Sequence, residues 1–207
     1  MNDRNAEIDW GFVLQWLVSC GIGVTIGGML AFMSMWTAGE AVMNATNDAF
    51  GGLVAGALFG GLLTLGANIG PGFLMRRHGI SPTRWILYGM AAAGVVLGVA
   101  FGILFSLFET LDDSTGPILL ALLLGLTIGL VQWALLRQAG IQVNEWPVIS
   151  VLAYMLAMGL SFRLGGEGRE WLSLGAMGLA LSLVTGLGMG WALRRQTPMT
   201  SSVNVTS

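Results

Sequence analysis

The chain has 207 residues, of which 55% are hydrophobic and only 10% charged, with a formal charge of −2 and a mean hydropathy of +0.76. Soluble domains carry about 25% charged residues, so this surface cannot face water throughout. That excludes a soluble enzyme and a disordered chain, and the pI near 5.2 excludes a nucleic-acid partner.

In chain order, apolar runs of membrane-spanning length fall at residues 10–36, 49–75, 85–108, 116–136, 146–162 and 171–193. None alternates as a barrel strand would. The acidic stretch 1–9 ahead of the first run predicts no cleavable signal. The polar tail 196–207 is expected to be a disordered cytoplasmic extension of a single six-span domain covering 1–195.

The arginines orient these spans. All nine basic residues are arginines, and Arg4, Arg76, Arg77, Arg84, Arg137, Arg194 and Arg195 fall on the side of the N-terminus. Arg163 and Arg169 share the other side with Glu40, Asp48, Glu109, Asp112, Asp113, Glu167 and Glu170. The positive-inside bias then puts both termini in the cytoplasm. Trp10, Trp85, Trp133, Trp146 and Trp191 are expected at the inner interface, and Trp36 and Trp171 at the outer one.

The spans also repeat. Three even-numbered spans end on an aromatic residue followed by Leu or Met and Arg: Phe73 to Arg77, Trp133 to Arg137 and Trp191 to Arg195. Three odd-numbered spans open on a charge and a tryptophan, at Asp9-Trp10, Arg84-Trp85 and Glu145-Trp146, and Gly23, Gly98 and Gly159 follow in one register. An all-α integral membrane fold of three tandem parallel two-helix hairpins follows, with repeats at about 10–77, 85–137 and 146–195. Parallel repeats imply a pseudo-threefold axis along the membrane normal. Mitochondrial-type carriers share that plan. Their signature proline followed two residues later by an acid is matched by none of Pro71, Pro82, Pro117, Pro147 and Pro198, so that family is rejected. The stretch from Gly125 to Arg137, with Gly125, Gly129, Gln132 and Trp133 in place, resembles the repeated G-x-x-x-G-x-x-Q-W-x-x-L-R hairpins of bacterial multispan membrane proteins. The resemblance implies a hairpin-repeat protein of a bacterial cytoplasmic membrane, and no activity.

Few residues offer chemistry. Glycine, 32 residues in all, forms rows four apart that let membrane helices approach closely: Gly23 and Gly27, Gly56 and Gly60, Gly94, Gly98 and Gly102, and Gly125 and Gly129. These rows serve either internal packing or an interface with another subunit. Asn68 and Pro71 are read either as a structural kink or as a helix break exposing a polar ligand. Gln132 is a helix–helix hydrogen-bond candidate. Arg163 either snorkels to the outer interface, pairs with Glu167, Glu170 or Glu109, or contacts a substrate anion.

Other polar residues read as background. His78 is expected among phospholipid headgroups rather than on a pigment or metal. Cys20 is expected to be inert filler, and a lone cysteine with a lone histidine excludes a disulfide, a cysteine-built metal site and bis-histidine haem within one chain. Glu109, Asp112 and Asp113 form a solvated acidic loop. No phosphate-binding loop, HExxH or CxxC occurs, so no catalysis and no cofactor are expected. The partners expected are the lipid bilayer and other membrane subunits. Two functions remain open: a non-catalytic accessory subunit, or a small-solute or ion transporter with a path along the pseudo-threefold axis.

Overall fold

The computed structural model describes residues 8–107, 115–165 and 168–195. Among them all regular structure is helical: α1 (Trp10–Ala45), α2 (Asp48–Met75), α3 (Pro82–Leu107), α4 (Thr115–Gln138), α5 (Trp146–Leu164) and α6 (Glu170–Arg194), with a short 3-10 turn, Arg76–His78, after α2. All six are long and apolar enough to cross a membrane. The tail 196–207 and the acidic residues Glu109, Asp112, Asp113 and Glu167 lie outside the described residues.

The starts of α1 and α2 are set by side-chain capping. Asp9 caps α1 by accepting from the Phe12 N–H at 3.0 Å, and Asn47 caps α2 by accepting from the Phe50 N–H at 2.9 Å. Pro82 opens α3 and Pro147 lies in the first turn of α5, where a missing N–H costs nothing. The main departure from expectation is α1, which runs nine residues past 36. Apolarity fades at Thr37 and Glu40, but nothing in that stretch stops a helix before Thr46. Its 36 residues span about 54 Å, so the α1–α2 hairpin outreaches a hydrocarbon layer of about 30 Å.

Each helix packs on its chain neighbours and α6 returns to α1, which closes a ring. One end holds the start of α1 beside the end of α6, where Gly190 meets Val13. The same end holds the Arg195–Glu145 ion pair, 3.5 Å and exposed. We call this the terminal end and the other the far end.

Glycine rows determine how closely neighbours sit. The backbones of Gly23 on α1 and Gly66 on α2 abut directly, and Gly27 faces the Leu62 carbonyl. Gly56 and Gly60 on α2 meet the α3 backbone at Leu97 and Ala93. In return Gly94, Gly98 and Gly102 stand one turn apart against the carbonyls of Ala57, Leu53 and Ala49. On α4, a methyl group at Gly125 would lie 2.6 Å from the Val151 Cα, and one at Gly129 would lie 2.8 Å from the Pro147 Cα. Gly159 differs, since a methyl group there would meet nothing beyond its own helix within 4 Å.

The outward faces are apolar as well. Leu14, Val18, Ile22 and Ile26 form an exposed ladder on α1, and Val148, Leu152 and Leu156 form another on α5. Helices apolar on all sides belong in lipid. The six spans and these faces define a polytopic helical membrane protein.

Candidate functional site

Two local turns place the core tryptophans. After α2, the Ile80 N–H reaches the Met75 carbonyl and the Gly79 N–H the Arg76 carbonyl; after α4, Ile141 reaches Leu136 and Gly140 reaches Arg137. This is one Schellman cap made twice. Its left-handed position holds glycine both times, Gly79 at φ +80° and Gly140 at φ +79°. The buried Ile80 and Ile141 seal each cap, and the same number of residues later Trp85 and Trp146 enter the core.

Both indoles are 0% exposed. They are therefore core residues and not members of an interfacial belt, which corrects the expectation from their position at span ends. Trp10 is 59% exposed, while Trp16, two turns further along α1, is buried in the core at 1%. The Trp16 Nε1 donates to the Thr185 Oγ1 at 3.0 Å, and Thr185 donates in turn to the Leu181 carbonyl at 2.7 Å.

Gln132 ties three helices together. Its Nε2 donates to the Asn68 Oδ1 at 2.9 Å, and its Oε1 accepts from the Trp146 Nε1 at 3.0 Å. Asn68, Pro71 and Gln132 therefore meet in one place. They line a cavity of about 20 Å³ with Cys20, Ser150 and Tyr154. One water needs roughly 10–15 Å³, so the space suits a single water and no solute. The Asn68 Nδ2 and Ser150 Oγ have no partner among the described residues, nor do the Thr64 Oγ1 and Trp85 Nε1.

Helix α2 continues through Pro71 without a break. The proline has no N–H to give the Ala67 carbonyl, so it removes one helical bond beside the cavity without opening the helix.

Arg163 is not part of this cluster. It lies exposed in the last turn of α5, about 25 Å along the helix from Trp146. It borders a groove between α4 and α5 lined by Pro117, Ile118, Met158, Gly159 and Phe162. Of its expected acidic partners, Glu109 and Glu167 lie outside the described residues, and the Glu170 carboxylate accepts from the Gly168 N–H at 3.2 Å.

Beyond the cluster, the far half of the ring holds a half-open chamber of about 590 Å³ to which all six helices contribute and whose rim includes exposed Met33 and Trp171. Its wall is mostly apolar, with Phe32, Phe59, Phe101, Met158 and Met177, and carries Ser161, Ser173 and Glu170 as its polar members. His78 stays at the terminal end, edge-on to Phe12. Among the described residues no three His, Cys, Asp or Glu side chains are grouped to hold a metal ion.

The spacing of the repeated span ends acquires a physical reason. Arg137 lies over the Trp133 ring at 4.9 Å and Arg195 over Trp191 at 3.7 Å, one turn apart in each case. Sequence reasoning missed Trp16, Ser150, Tyr154 and Thr185. A signal existed: Trp16 and Cys20, Ile128 and Gln132, Ser150 and Tyr154, and Leu181 and Thr185 are all four-apart pairs, and each presents one helix face to the cavity. No protein-family model, curated protein or solved structure matches the chain.

Proposed function

We propose that this chain is a non-catalytic accessory subunit of a bacterial cytoplasmic membrane, packing against other membrane proteins with both termini inside. The observation that carries this reading is the plugged terminal half of the ring. Trp16, Asn68 and Gln132 line a cavity of about 20 Å³ there, and the indoles of Trp85 and Trp146 are fully buried. A solute path, the alternative, would have to dismantle that hydrogen-bonded cluster. The arginine excess at the terminal end supports the orientation.

Three tandem hairpins, as in the bacterial multispan proteins with the Q-W-x-x-L-R motif, remain our reading of the architecture. The duplicated cap before Trp85 and Trp146 supports it for the second and third units. The first unit departs from the pattern, because Trp10 stays outside while Trp16 goes in.

The test is mild solubilisation of native membranes followed by native electrophoresis and cross-linking. Comigration with other polypeptides is expected, and migration as a free monomer would count against an accessory role. In proteoliposomes, flux of ions and small polar solutes is expected to stay at the protein-free level. Conductance abolished by Asn68→Ala would favour the axial path instead.

A further inference from the structure

The far chamber and the α4–α5 groove share a wall, Met158 and Phe162, and each has a volume of about 590 Å³. That is within the usual range for small-molecule sites. Near the terminal end α4 and α5 are locked together where Gly125 meets Val151 and Gly129 meets Pro147. Toward the far end a methyl group at Gly159 would meet nothing beyond its own helix within 4 Å, and Gly159 lines the groove with Pro117 and Ile118 of α4. The chamber thus has a lateral neighbour facing the membrane. On the groove, in the last turn of α5, stands the exposed guanidinium of Arg163.

Four properties define the occupant. The chamber wall is mostly apolar, its Glu170 and serines apart, and so suits a chain better than a polar solute. The surrounding solvent of a membrane protein is acyl chain. Met158 and Met177 in the wall are flexible enough to follow an irregular chain. The cation on the adjoining groove matches a phosphate diester. We propose that a glycerophospholipid binds here, one acyl chain in the chamber and its phosphate on Arg163. The site depends only on membrane residence and is independent of the accessory role.

The test is native mass spectrometry of the full chain in mild detergent, loaded either with phosphatidylglycerol or with diacylglycerol bearing the same chains. One phosphatidylglycerol per chain is expected, held about tenfold more tightly than diacylglycerol. Met158→Trp combined with Met177→Phe narrows the chamber with two stiff rings and is expected to lower occupancy by both lipids about tenfold. Should that variant lose wild-type helical content or elution volume, Leu120→Phe carries the same expectation. Arg163→Gln is expected to erase the preference for the phospholipid and leave diacylglycerol binding unchanged. Leu14→Phe, on the outward face of α1, is expected to change neither. Unchanged binding by a folded chamber-narrowing variant, or equal wild-type affinity for the two lipids, would overturn the proposal.

Discussion

The α2–α3 and α4–α5 joints are built alike and finished differently. Each begins with a glycine-capped turn, a buried isoleucine and a fully buried tryptophan. Each brings glycine of the even helix against backbone of the odd one, Gly60 at Ala93 and Gly125 at Val151. The polar finish is where they part. Trp146 donates to Gln132, whereas the Trp85 Nε1 has no partner among the described residues. Aligning the two turns places Pro71 where Gln132 stands, and proline has no side-chain acceptor. The backbone scaffold is thus duplicated while the hydrogen bonding is specific to one copy. That one copy also reaches across to α2 through Asn68.

If the scaffold is the common part, damage to it should be equally severe in both joints. Gly60→Leu and Gly125→Leu each drive a side chain into the backbone of the facing helix. Each is expected to cost about 3 kcal/mol or more, read as loss of the folded monodisperse protein or a large fall in its thermal midpoint in detergent. Tolerance at one site alone would show that the joints do not share a scaffold.

Next in size is the polar finish. Gln132→Leu leaves the Asn68 Oδ1 and the Trp146 Nε1 without their partners at once. A loss of roughly 2 kcal/mol is expected from chemical unfolding in mixed micelles. A double-mutant cycle between Asn68→Ala and Gln132→Ala should give coupling of about 0.6–1.7 kcal/mol, the range found for buried bonds between membrane helices. Zero coupling would remove the cluster from any structural role.

How much of this was legible follows from what hydropathy encodes. It locates lipid-length segments, so the six spans emerge with ends within a few residues, except at α1. There the helix outlasts its apolarity and only Thr46 and Asn47 end it. Hydropathy carries no rotational phase. A tryptophan at a span end looks the same whether it faces outward, as exposed Trp10 does, or the core, as Trp85 and Trp146 do. Phase was nevertheless written in the four-apart pairs Ser150–Tyr154 and Leu181–Thr185, which point inward together. The bond from Trp16 to Thr185 joins the first helix to the last. No local pattern announces it, because it exists only once the ring has closed. Asn68, Pro71 and Gln132 were legible as unusual residues within spans, but not as neighbours.

A smaller effect separates the two tryptophans themselves. Trp146→Phe removes a donor and strands the Gln132 Oε1, while Trp85→Phe removes a donor that has no protein partner. Both lose indole area. Trp146→Phe is therefore expected to cost about 1 kcal/mol more than Trp85→Phe, read as the difference between their unfolding midpoints. Equal losses would place an acceptor at Trp85 and erase the contrast between the joints.

The smallest effect is expected at Gly159, and it tests whether glycine matters here by position or by abundance. Gly125 and Gly159 are both mid-helix glycines, on the two partners of the same joint. A methyl group at Gly125 would collide with the Val151 Cα, whereas one at Gly159 meets nothing within 4 Å. Alanine also relieves the backbone entropy of a helical glycine, worth up to about 1 kcal/mol in water. Gly159→Ala is thus expected to leave the thermal midpoint unchanged or raise it slightly, while Gly125→Ala lowers it clearly. If Gly159→Ala proved as damaging as Gly125→Ala, the α4–α5 groove would have to close on itself in the membrane. The lateral opening beside Arg163 would then disappear with it.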